Sequence, residues 1–95
     1  IRNAYDIRLR NKHGDDRLFQ ISITGDPVLK IDLEGTVHES VTVPANETLL
    51  QRVYVTAPPR SEPATSERTE ARFWVEDLVS GERVHNDTVF NGAVQ

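Results

Sequence analysis

The 95-residue sequence contains neither cysteine nor methionine. Without cysteine this stretch of chain has no disulfide, thiolate nucleophile, Cys-ligated zinc or iron–sulfur cluster of its own, and its redox compartment is not readable from the residues. A soft Cu(I) site would want the same missing sulfur ligands. Position 1 is Ile rather than Met, so the stretch reads as a piece of a longer or processed protein. Its five glycines are scattered and form neither GxGxxG nor GxxxxGKS/T, so no phosphate-cradling loop is expected. No apolar run approaches the ~18–20 residues that span a bilayer, and no signal-peptide pattern opens the chain, which reads as a soluble segment. Basic residues are outnumbered 11 to 15, net charge −4, and a field of that sign disfavours nucleic acid and anionic membrane surfaces as partners. At this length only roughly 60–65% of the unfolded surface is buried on folding, so a deep enclosed active site is not expected.

Alternation is what the sequence has. Valine, isoleucine and threonine supply 24 residues against 13 alanines and leucines, a balance that suits a pleated surface. From Tyr5 to Arg10 every odd position is apolar and every even one charged, the mark of a strand with one buried face. Phe19, Ile21 and Ile23 repeat the pattern after the turn cluster Lys12–Asp16, and these first two strands read as a hairpin. A third extended stretch runs from Val28 to Leu33. Val41 and Val43 precede a turn at Pro44-Ala45-Asn46-Glu47, where proline sets φ and asparagine accepts a left-handed conformation. Beyond it Leu49, Val53 and Val55 share one parity, which Gln51 partly breaks. Residues 58–68 hold three prolines and no large apolar side chain, and read as a mobile loop. Ala71, Phe73 and Val75 then alternate with Arg72, Trp74 and Glu76, and a last strand is expected around Val84–Phe90. About seven strands, no repeat and no well-capped helix predict an all-β sandwich of two antiparallel sheets over residues 1–95. The expected core is Tyr5, Ile7, Leu9, Phe19, Ile21, Ile23, Leu33, Val53, Val55, Phe73 and Val75.

Chemistry-bearing residues are sparse. His13, His38 and His85 fall in separate segments without metal-ligand spacing, and read as surface histidines. Asp15-Asp16 suits carboxylates bonding local backbone N–H groups; a calcium loop would need further spaced oxygen ligands. No GxSxG elbow supports a serine nucleophile. No catalytic, cofactor-binding or metal-binding residue is therefore assigned. Trp74 and Tyr54 share the outward parity of their charged neighbours and are the candidate partner contacts, each with the alternative of lying flat over charged stems.

The segments in order resemble a known family. Asn3-Ala4-Tyr5-Asp6-Ile7-Arg8-Leu9-Arg10-Asn11-Lys12 is similar to the opening strand of the immunoglobulin-like domain at the C-terminus of FixG/RdxA-type cytochrome c oxidase accessory proteins. The likeness continues through Phe19–Gly25, the Val43–Glu47 turn, the Val53–Pro58 strand end and Phe73–Asp77. It implies an immunoglobulin-like sandwich cut from a bacterial inner-membrane protein, reached by the membrane only through that protein's transmembrane helices. It also implies 4Fe–4S clusters in the parent and a role in assembling cbb-type oxidase and handling copper. The domain itself would be periplasmic and non-catalytic, serving for docking or structural support with oxidase-assembly proteins as partners. The residues leave a homo-oligomer open as well. The alternative is an immunoglobulin-like binding or adhesion module of another surface or secreted protein.

Overall fold

A computed structural model describes residues 1–36 and 38–92. Seven strands and one short helix follow in the order β1 (Arg2–Arg10), β2 (Arg17–Thr24), β3 (Lys30–Leu33), β4 (Ser40–Val43), β5 (Thr48–Thr56), α1 (Glu62–Thr65), β6 (Thr69–Asp77) and β7 (Arg83–Phe90). They form a three-stranded sheet, β1-β5-β3, and a four-stranded sheet, β4-β2-β6-β7. All pairings are antiparallel.

The alternation explains this packing, but not as a hairpin. β1 pairs along its whole length with β5, from Arg2 opposite Thr56 to Arg10 opposite Thr48, and β2 lies in the other sheet between β4 and β6. The turn after β1 therefore carries the chain from one sheet to the other. Two strands with apolar rows gain more by facing those rows across a sandwich than by lying side by side with both rows uncovered. The crossing is held by Asn11, Asp16 and His13, which bond to the β4–β5 turn through Val43 O, Ala45 N and Asn46 N respectively.

All eleven expected core residues lie in the core or against it. Seven are buried, while Tyr5, Ile7, Ile23 and Val75 are partly buried. The buried set also includes Leu29, Val43, Ala57, Ala64, Ala71 and Phe90.

The stretch expected as a loop at 58–68 is mostly exposed, but its middle is anchored to the core by one helical turn. Thr65 N and Ser66 N bond to Ser61 O and Glu62 O, making the single turn α1, and Pro63 and Ala64 are buried. Small side chains suffice here because the α1 backbone lies directly against Gly92, just beyond β7. The fit is tight enough that a Cβ at Gly92 would run into the carbonyl oxygens of Pro63 and Ser66, so only glycine is accommodated there. No helix among the described residues is long and apolar enough to cross a membrane.

Candidate functional site

β1 and β7 are edge strands of different sheets on the same side of the sandwich. At one end, side chains bridge them. The Tyr5 hydroxyl donates to Val89 O at 2.6 Å, and Asn3 both donates to Asn91 O at 2.9 Å and accepts from Asn91 N at 3.1 Å. The Tyr5 ring meets Phe73 of the opposite sheet edge-on, with centroids 5.1 Å apart. Burial raises the Tyr5 phenol above its ordinary pKa, since the tyrosinate would lose solvent. Towards the other end the strands part, leaving a cleft of about 590 Å³. Ile7 and Phe73 line its floor, Arg10 and Lys12 lie on the β1 side, and Glu82 and Asp87 on the β7 side.

The mouth of this cleft is braced by polar residues that continue the inward parity of their strands. Asn11 follows Tyr5, Ile7 and Leu9; Asp77 follows Ala71, Phe73 and Val75. The Asn11 amide donates to Asp15 O, Val43 O and Pro44 O, and its carbonyl oxygen accepts from His13 N. The Asp77 carboxylate accepts from Val79 N at 2.8 Å, Ser80 N at 3.2 Å and Arg17 Nη1 at 2.9 Å, with His13 Nε2 at 3.6 Å. Burial alone would raise the Asp77 pKa. The two backbone N–H groups and the Arg17 guanidinium outweigh it and hold the carboxyl below the usual range. Arg17 is likewise disfavoured as a cation by burial, but Asp15 and Asp77 prevail and keep it charged. The carboxylate is thus engaged in tying the β6–β7 turn to the β1–β2 turn and the start of β2. Asn11 and Asp77 were readable from parity, but a polar residue at an inward position looks in sequence like the end of a strand.

The structure places the candidate contacts on opposite outer faces. Trp74 lies on the outside of the four-stranded sheet between Ser22 and His85. Its indole N–H donates to Thr24 Oγ1 at 2.9 Å, Arg83 sits 4.4 Å over the ring, and His85 packs against it at 4.8 Å. Tyr54 lies outside the three-stranded sheet, its hydroxyl 3.0 Å from Glu34 Oε1 and its ring 4.4 Å beneath Arg2. Both aromatics lie under charged stems, and a single flat partner could not meet both. His13 and His85 both border the cleft while His38 lies in the β3–β4 connection, and no three His, Cys, Asp or Glu side chains converge as a metal site among the described residues. Asp16 bonds Ala45 N and Asp15 bonds Arg17, so the acidic pair is used within its own turn network.

Residues 1–93 match the family model described as the "IG-like fold at C-terminal of FixG". Protein RdxB of Cereibacter sphaeroides is 56% identical over 92 residues, 97% of this chain and 19% of RdxB. Protein RdxA of the same organism is 46% identical over 77 residues, 81% of this chain and 16% of RdxA. The chain thus spans less than a fifth of either relative. The crystal structure of a FixG-related protein from Vibrio parahaemolyticus superposes with a TM-score of 0.79, covering 99% of this chain and 81% of that one at 16% identity, a likeness of fold. The immunoglobulin-like sandwich expected from the opening strand is therefore the fold observed, and the chain belongs to the family of immunoglobulin-like domains at the C-terminus of FixG.

Proposed function

We propose that this domain is a non-catalytic docking or structural module of a FixG/RdxA-type membrane protein that assists cbb-type oxidase assembly and copper handling. The match of residues 1–93 to the FixG C-terminal domain carries the reading. The use of Asp77, Arg17 and Asn11 as loop braces supports a binding rather than a chemical role for the domain. In this reading the 4Fe–4S clusters belong to the rest of the parent, which contributes the cysteines this stretch lacks. The domain stands on the periplasmic side of the bacterial inner membrane and contacts oxidase-assembly proteins with its sheet faces, Trp74 on one and Tyr54 on the other.

Deleting the domain from the full-length parent in its host tests this. The expected result is retained iron–sulfur absorption in the purified parent with reduced assembled cbb-type oxidase in membranes. Unchanged oxidase assembly with the truncated parent present at normal level would overturn the proposal.

A further inference from the structure

The four sheet edges are unlike one another. β3 and β4 have four residues each, whereas β1 and β7 have nine and eight. An edge strand presents unpaired N–H and C=O groups, and proteins usually blunt it by shortness, proline, lysine, a bulge or a covering segment. β7 has no proline or lysine, none of its residues has a positive φ, and Arg83 through Asp87 are exposed.

Two bonds show which of its backbone groups face outward. Glu82 O accepts from Asp77 N at 2.9 Å, in step with the β6–β7 register, which turns the even residues toward β6. Val89 O accepts from Tyr5 on the opposite side, which turns the odd residues outward. Val89 is covered by that bond. Arg83, His85 and Asp87 remain, three outward-facing residues centred on His85.

A second copy laid antiparallel on this window, with the two-fold axis at His85, sets His85 against its own counterpart and Arg83 against the other copy's Asp87. Each is a hydrogen-bonded pair, and both flanking pairs oppose unlike charges. On the cleft side Val84, 64% exposed, comes opposite the other copy's Asn86 and is removed from water. We infer that the β7 edge is a self-pairing surface, through which two copies join their four-stranded sheets into one continuous sheet. The second copy is favoured over an unrelated strand because two independent features select the same register. The uncovered backbone centres on His85, and the charges pair residue 83 with residue 87 about that centre. The inference does not depend on the role proposed for the parent.

Sedimentation equilibrium of this chain tests it, run at about 1 mM because a five-residue edge is at the small end of protein interfaces. The wild type is expected to approach twice its 10.7 kDa mass. His85→Pro is expected to be monomeric with an unchanged circular dichroism spectrum, since the lost N–H faces outward and proline is tolerated on such an edge. Arg83→Asp and Asp87→Arg are each expected to weaken association about tenfold by opposing like charges twice across the axis. Mixing those two variants one to one restores both attractive pairs, and a heterodimer of near wild-type strength is expected. A monomeric wild type at that concentration, a dimer surviving His85→Pro, or a mixture no stronger than either variant alone would each overturn the inference. If His85→Pro does not fold, the mixing experiment decides.

Discussion

On one side of the sandwich, β3 hands the chain directly to β4 between Leu33 and Ser40, so the backbone itself joins the two sheets. Both ends of that crossing are tied: Glu34 N bonds Arg52 O at 3.0 Å, the Gln51 amide donates to Glu34 O at 2.8 Å, and Ile21 N bonds Glu39 O at 2.9 Å. On the other side no covalent link joins β1 and β7. Tyr5 and Asn3 close one end of that seam, and the rest is open as the cleft. A seam closed by backbone is held by the fold itself, and the strand edges beside it are only four residues long. One closed by side chains leaves half-buried apolar residues and an unpaired edge, and can therefore accept another chain.

The comparison can be broken first at its centre. Phe73 is buried beneath the open seam and packs on Tyr5, and Phe73→Ala is expected to cost ~3–5 kcal/mol in a denaturant titration. A cost below ~1 kcal/mol would mean that the cleft floor is not part of the cooperative core. Next, aliphatic truncation on the two sides sharpens the contrast. Leu33→Ala, on the closed side, is expected to cost ~2–5 kcal/mol, and Ile7→Ala, half-buried at the cleft, ~1–2 kcal/mol. Equal costs would remove the distinction between the seams.

The bridging side chains come third. Gln51→Ala leaves Glu34 O without the buried amide and is expected to cost ~1–3 kcal/mol, whereas Tyr5→Phe, which deletes one bond at a wetter position, is expected to cost ~0.5–1.5 kcal/mol. The Tyr5 effect has a pH signature. Its folded pKa is raised, so its contribution is complete below the unfolded value of ~10 and is lost as pH rises through the folded one; Tyr5→Phe should flatten that alkaline loss. Asp77 behaves oppositely. Its folded pKa is depressed, so its contribution is present above the unfolded value of ~3.9 and is lost as pH falls through the folded one. Thermal melts between pH 7 and pH 2 are expected to show a steeper acid loss for the wild type than for Asp77→Asn. The smallest effect is Arg72→Ala on the outer face, expected within ~0.5 kcal/mol despite its 2.7 Å ion pair with Asp87. A change comparable to Phe73→Ala would mean that the face of β6 has been read inverted.

Alternation was legible because it is a local property. The side chains from Tyr5 to Arg10 and from Ala71 to Glu76 face the way their parity requires, since successive residues of any strand point to opposite sides. Pairing is not local. The turn cluster at Lys12–Asp16 looks the same whether it closes a hairpin or carries the chain between sheets, and only the nine-residue match of β1 with β5 distinguishes the two. The buried anchor within residues 58–68 is not legible in the sequence for a related reason. Small size, which in sequence signals a loop, is what allows Pro63 and Ala64 to be buried where the backbone passes closely over Gly92.

The candidate contacts divide in the same way. Outward parity for Trp74 and Tyr54 was readable, but their placement on opposite faces required the sheet order. The residues themselves thus determined strand character, the inward rows and the absence of sulfur chemistry, because composition and a two-residue period are written along the chain. Which strands share a sheet, which seam the backbone closes and which edge is left unpaired were decided only in the tertiary structure. Those features rest on contacts between residues as far apart as Asn3 and Asn91, whose cost in chain entropy is recovered only when the whole core assembles.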